Sequence, residues 1–590
     1  MTTTESTQGG RIFWGCFIAL VTCAFGFIVR TQIIGEWQIE FGLSETEKGK
    51  ILGVGFWPFA FSIIGFAFVI DKLGYGWVAF IGFCLHVSST LMLYFANSYQ
   101  MLYWGTFLFA LSNGTVEAYI NPAVAAMRKS EKTKWLNILH AGWPGGMVLA
   151  GVIAISMGNA DWHTKVLITL LPTAVYAVLL IGTRFPQSER VAAGVTYREM
   201  LADFGALGML IIAFLVTLQV MEGLLGIQSF GTVWGTAAGV GVGAAVLFGL
   251  YTRSLGQPIF LFLCLIMIPL ATTELGTDSW ITDLMGPAMG KVGLNAGWVL
   301  VYTALIMTVL RFCAGPIVHK LSPIGLLVLS ALLAAVGLVF LSKAAGTVIL
   351  LAATIYGIGK TFFWPTMLGV VSERFPRGGA LTLNTIGGIG MLGMGVGGQM
   401  TGFVQDTQIE AEITAHDETN GTDYRSRYIT IDKKSLFGGY RQADTSKLMD
   451  SINLYDHRLA TAQQLAGGAS DADVNAALAD ANTAAGKKQA ALVKVAYERF
   501  GDEVKDKLGA GYDEKLSFLQ SKGSIPDEPA YAKMSTEKRA FDDAGAVAKK
   551  QALMVIAILP AIMFACYLVL FFYFKAKGGY KPVELEGSLH

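Results

Sequence analysis

Fourteen stretches of this chain are long and apolar enough to cross a lipid bilayer: approximately 12–35, 49–70, 77–96, 99–127, 134–158, 164–183, 206–227, 232–252, 257–281, 295–318, 324–342, 346–371, 379–404 and 550–574. A spanning helix needs roughly 20 apolar residues. Hydrocarbon offers the backbone no hydrogen-bond partners, so runs of this length fold as helices. The expectation is an all-α membrane protein. Composition agrees: 15% of residues are charged, against about 25% in a soluble domain. A net charge of +1 without a run of bases excludes nucleic acid as a partner. The six cysteines all fall in apolar stretches with no CxxC and no histidine spacing, which excludes a metal site and reads as helix packing.

The spans group as six, two and six. This divides the chain into a six-helix bundle at 1–190, two extra helices at 191–255, five helices of a second bundle at 256–404, a polar insert at 405–548, and a last helix with its tail at 549–590. The first span is too long for a signal-peptide core and reads as retained. Lysine and arginine concentrate in alternate loops, at Lys72, Arg128–Lys134, Arg184–Arg198, Arg253, His319–Lys320, Arg374–Arg377 and Lys575–Lys577. The positive-inside rule then puts both termini in the cytoplasm, with a bacterial inner membrane the expected location. The insert falls on the opposite face. Its segments 444–466, 471–507 and 530–548 have helical periodicity, so a soluble helical cap is expected, with 530–548 running into the last span.

Four charges lie deep inside spans: Arg30, Glu117, Glu274 and Lys360. Such groups line polar paths or pair with one another. They recur at matching places in two halves of the chain. Arg30 precedes Trp37 as Glu274 precedes Trp280. Glu117-x-x-x-Asn121-Pro122 matches Lys360-x-x-x-Trp364-Pro365, and Leu136-Asn137 matches Leu383-Asn384. Internal repeats with interrupted helices mark secondary transporters. Pro122 and Pro365 each free a carbonyl one turn earlier, and that carbonyl must find a partner in protein or water. The inverted signs suggest one ion pair per half, Arg30 with Glu117 and Glu274 with Lys360, each facing a shared cavity.

These motifs resemble the major facilitator superfamily, and within it the fucose, glucose and galactose permease group. Glu117-x-x-x-Asn121-Pro122 resembles the group's fourth-helix motif, Leu136-Asn137 the opening of its fifth, Thr273–Trp280 its acidic seventh-helix motif, and Phe363-Trp364-Pro365-Thr366 its tenth-helix element. The resemblance implies two pseudo-symmetric six-helix bundles around a cavity, with Glu117 in substrate-coupled protonation and Asn137 as a sugar-side contact. Three features depart from the pattern. Val29-Arg30-Thr31-Gln32 stands where the group has an acid, Ala67 and Tyr75 replace two positions of the loop signature, and the extra helix pair and the insert have no counterpart.

The expected binding and coupling residues are Arg30, Gln32, Glu117, Asn121, Asn137, His140, Trp143, Glu274, Asp278, Lys360, Trp364 and Asn384. Asp71, Lys72, His319 and Lys320 are expected at a gate. Trp143 and Trp364 could stack on a pyranose or pack between helices; His140 could titrate or serve structurally. Arg311 reads as a structural residue that snorkels or pairs with Glu373, and Glu222 in the extra pair could be buried or face outward. No phosphate loop, catalytic triad or metal cluster is present, so neither an enzyme nor a cofactor is expected. The expected function is cation-coupled transport of a sugar or sugar acid by a monomer. An exporter of drugs or amphiphiles, and a non-transporting sensor built on the insert, are the competing readings.

Overall fold

The computed structural model describes residues 3–41, 43, 47, 50–51, 53–158, 160–227, 229–277, 297–344, 348–444 and 528–585. It divides into two compact units. One comprises Met1–Gly402, Lys434–Gly438 and Lys549–His590; the other Phe403–Lys433 and Gly439–Ala548.

In the first unit, helices α1 (Thr3–Glu40), α2 (Trp57–Leu73), α3 (Tyr75–Tyr94), α4 (Tyr99–Met127), α5 (Lys132–His140), α6 (Gly142–Ser156), α7 (Trp162–Leu167) and α8 (Leu170–Leu180) form one half. A short turn, α9 (Glu189–Ala192), leads to α10 (Tyr197–Gln219) and α11 (Phe230–Thr252). The other half comprises α12 (Pro258–Gly276), α13 (Gly297–Phe312), α14 (Ala314–Leu321), α15 (Pro323–Lys343), α16 (Val348–Lys360), α17 (Phe363–Arg374) and α18 (Gly379–Asn420).

Among the described residues, eleven helices are long and apolar enough to cross a membrane, or twelve if α13 and α14, bent by 64°, form one span. Two helices at expected spans fall outside this set. Helix α2 has 17 residues, and α4 carries Asn113, Glu117, Asn121 and Pro122 along a largely buried length. The first misses on length alone, and the polarity of α4 belongs to a helix that faces protein. The opposite case is α11, where Leu247 and Leu250 are 71% and 73% exposed. Apolar side chains standing outward in this number suit hydrocarbon surroundings.

The halves meet where glycines remove side-chain bulk. A methyl group at Gly388 would lie 2.3 Å from the Ile64 side chain of α2, and one at Gly369 would lie 2.3 Å from Thr133, so α17 approaches α5 to backbone distance. The extra pair packs as an α10–α11 hairpin. Helix α10 starts on a capping box between Thr196 and Glu199 and ends in a π-turn, Val220–Leu224. Glu222 in that turn is half-buried and accepts from Gln399 of α18 at 2.6 Å.

The second unit corrects the expectation of an insert made only of helix. After α19 (Tyr424–Tyr428), the strands β1 (Ile431–Ser435) and β2 (Gly438–Gln442) form a two-stranded sheet. The β-branched run Ile429-Thr430-Ile431 favours extended chain, and Gly438, at φ 127°, supplies the turn. Ile413, Tyr424, Ile429, Phe541 and Ala544 make a small core, beside an Arg427–Glu537 ion pair of 2.8 Å. The expected helices at 444–466 and 471–507 lie outside the described residues but for Asp444. Segment 530–548 belongs to α20 (Glu528–Ile556), which is followed directly by α21 (Ile558–Ala576).

Candidate functional site

Glu117 and Asn121 stand one turn apart on α4, so their side chains share a face. Asn121 Nδ2 donates to Glu117 Oε2 at 2.5 Å, and its Oδ1 accepts from His140 Nε2 at 2.9 Å. The asparagine thereby fixes which imidazole nitrogen carries the proton. All three are buried, between 1% and 6% exposed.

His140 closes α5, and α6 restarts at Gly142-Trp143-Pro144. Helix α16 closes at Lys360, and α17 restarts at Phe363-Trp364-Pro365. Each Trp-Pro places the imino ring where the helix would otherwise offer a donor four residues back, to His140 O and to Thr361 O. One side chain reaches both carbonyls. Arg311 of α13 donates from Nη1 to His140 O at 2.8 Å and from Nε to Thr361 O at 2.7 Å. Its Nη2 donates to Glu274 Oε1 at 2.7 Å, and Glu274 Oε2 accepts from the Trp364 amide at 3.0 Å. The pair is thus inserted at the α16–α17 break. The cation faces carbonyls ending one helix and the carboxylate faces an amide starting the next, each matching the local helix dipole.

The third proline-freed carbonyl has its own partner. Pro122 cannot donate to Ala118 O, and Asn384 Nδ2 of α18 does so instead at 2.9 Å. The companion asparagine, Asn137, donates to Thr366 Oγ1 of α17 at 3.2 Å and to Thr133 O at 2.9 Å. The two repeat-related Leu-Asn positions therefore each reach across to the other half.

Further toward the base-rich end, Glu373 Oε1 accepts from Thr133 N at 3.0 Å and Thr133 Oγ1 at 2.6 Å, while Oε2 accepts from Tyr580 Oη at 2.8 Å. Lys132 Nζ donates to Glu189 at 2.5 Å and to Ser372 O at 3.1 Å. Glu131 binds Lys134 at 3.0 Å and His319 at 3.1 Å. The Lys134 hydrogen bond, aided by His319, holds the Glu131 carboxyl below its ordinary range. Among the described residues, every hydrogen bond joining residues 1–190 to residues 256–404 uses the stretch Ala118–His140 of the first half.

The expected pairing of one ion pair per half requires correction. Among the described residues no ion pair joins Arg30 to Glu117, because the Glu117 carboxylate is turned along its own helix onto Asn121. Glu274 is held by Arg311, which was expected to snorkel or to pair with Glu373. Lys360 Nζ lies 5.4 Å from the Tyr356 ring centroid. Trp364 packs its ring against Gly387 and Gly390; Trp143 is half-buried, 5.8 Å from the Phe27 ring. Gln32 is exposed, and Asp278 lies outside the described residues. Of the expected gate residues, Asp71 binds Arg190 at 2.7 Å, Lys72 sits 4.9 Å from the Tyr197 ring, and Lys320 is exposed. Arg311 is the main functional side chain that sequence reasoning missed. The signal for it was the second Trp-Pro, at Trp143-Pro144, which left one more carbonyl to satisfy.

No curated protein sequence matches the chain. A family model described as Major Facilitator Superfamily matches residues 15–398. Similar solved structures include a variant of the E. coli fucose:proton symporter FucP, 18% identical, covering 67% of this chain and 92% of that one with a TM-score of 0.48. The proton:xylose symporter XylE bound to 6-bromo-6-deoxy-D-glucose is 14% identical, covering 70% and 91% with a TM-score of 0.50. The human organic anion transporter MFSD10 is 13% identical, covering 67% and 93% with a TM-score of 0.48.

Proposed function

The chain belongs to the major facilitator superfamily, and from that premise we propose that it is a secondary active transporter, carrying a sugar or sugar derivative by alternating access with a proton as the coupling ion. A proton:xylose symporter is among the proteins sharing the fold. The observation that carries the reading is the buried polar run from Glu117 through Asn121 and His140 to Arg311 and Glu274, which links the halves. A run of this kind is high-stakes, because each member depends on the next for its hydrogen bonds.

Protonated Glu117 gains an O–H donor, and its contact with the Asn121 amide loses its charge and weakens. Asn121 then turns, His140 loses its acceptor, and the carbonyl that Arg311 grips at the end of α5 is free to move. Release at Arg311 and at the Asn137 and Asn384 contacts lets the halves part at the base-rich end. In this reading that end is cytoplasmic, the chain crosses fourteen times as a monomer in a bacterial inner membrane, and the insert stands outside. Asp71, Lys72, His319 and Lys320 belong to the gate, and Gln32, Trp143, Asp278, Lys360 and Trp364 to the substrate path.

Glu117→Gln in proteoliposomes tests the coupling. The expected result is loss of accumulation driven by an imposed pH gradient, with exchange of labelled sugar across the membrane retained. Accumulation equal to wild type would refute the role of Glu117.

A further inference from the structure

Arg30 is 5% exposed on α1, among the described residues it has no ion pair, and its Nε has no hydrogen-bond partner. A guanidinium does not shed its charge by deprotonation, and an unpaired one at membrane depth is costly. Its surroundings are arranged for something else to join it. A methyl group at Gly55 would stand 2.5 Å from Nη2, so the glycine leaves the fork of the guanidinium clear. The Phe27 ring lies 5.9 Å from the guanidinium carbon, and Phe27 itself meets Phe56 at 6.3 Å and Trp143 at 5.8 Å. These three aromatic side chains are half-buried. A separate cavity of about 20 Å³, lined by none of Gly55, Phe27, Phe56 and Trp143, also reaches Arg30 between Gly26, Phe109, Thr90 and Thr169. That is room for about one water molecule.

We propose that Arg30 recognises the carboxylate of a sugar acid, with Phe27 and Trp143 covering the apolar face of its ring. The inference rests on the transporter reading and narrows its substrate to uronate-like anions. A planar fork with donors on both edges pairs with a carboxylate through two parallel hydrogen bonds. Aromatic faces supply ring contact without competing for the charge. A simple carboxylate would use only the first of these, and a neutral sugar only the second.

The test is calorimetric binding of D-glucuronate, D-galacturonate, D-glucose and acetate to the purified full-length protein, alongside uptake of each in proteoliposomes. The uronates are expected to bind at least about tenfold tighter than glucose or acetate, the margin of one charge-assisted contact. Arg30→Gln should remove that margin, while Arg30→Lys should keep part of it. Gly55→Ala keeps the charge but displaces the guanidinium, so it should weaken uronate binding even if Arg30→Gln does not fold. Uronates that bind no better than glucose, or equally well to both variants, would overturn the proposal. So would acetate matching glucuronate, or no uronate binding at all. Glucose transport with no binding of either uronate would sink the anion site and leave the carrier standing. Arg30-dependent uronate binding with no transport of any compound would sink the carrier and leave the site.

Discussion

Replacing Arg311 by methionine keeps an unbranched apolar stem in place of a side chain that is 1% exposed and removes its donors. The Glu274 carboxylate loses its guanidinium, a loss that costs about 3–5 kcal/mol for a buried pair. The carbonyls of His140 and Thr361 lose bonds of 2.8 and 2.7 Å, and each buried acceptor left unmatched adds about 1–3 kcal/mol. Partial relaxation trims the total, and a destabilisation of about 5–8 kcal/mol is expected. The second variant separates charge from hydrogen bonding. Arg311→Met with Glu274→Gln removes the stranded charge and should return about 3 kcal/mol relative to the single change. Unfolding of the purified protein in mild detergent by added dodecyl sulfate, followed by tryptophan fluorescence, measures both. A cost for Arg311→Met below about 1 kcal/mol, or a double variant no more stable than the single, would refute the reasoning.

Asn384→Leu removes the bond to Ala118 O and should cost about 1 kcal/mol. In a Pro122→Ala background the restored amide serves that carbonyl, so the same change should cost less; equal costs in the two backgrounds would show that the proline is irrelevant to it. Glu131 sets a pH dependence. Its folded carboxyl sits below its ordinary value, so its contribution is complete above about pH 4.3, the unfolded value, and is lost as pH falls through the lower folded one. Wild type and Glu131→Gln should therefore differ in stability at pH 7 and converge as pH falls through the lowered folded value; a gap that widens on acidification would contradict the sign.

The spans were legible because hydrocarbon demands long apolar runs, and the same demand made the prolines legible as carbonyls in need of donors. Asn384 and Arg311 as the donors were not, since which helices lie side by side at one depth is a tertiary fact. Repeat symmetry suggested that Glu274 pairs with Lys360, but the bend after Phe312 belongs to the helix that brings Arg311 to Glu274. The charge of Glu117 was readable; its turn onto Asn121 depended on His140 occupying the other side of the amide. The hairpin at 431–442 was missed because helical periodicity elsewhere in the insert outweighed the short β-branched run before it.

In the transport cycle proposed above, the two halves, clasped through Ala118–His140, part at that end. Spin labels at positions 129 and 320, with the exposed Cys84 and Cys313 replaced by serine, would report the separation by pulsed dipolar spectroscopy in liposomes. The account predicts a short distance in the wild type and a second, longer population on protonation with glucuronate present, a population that Arg311→Met enriches without ligand. One unchanging distance under all of these conditions would contradict it.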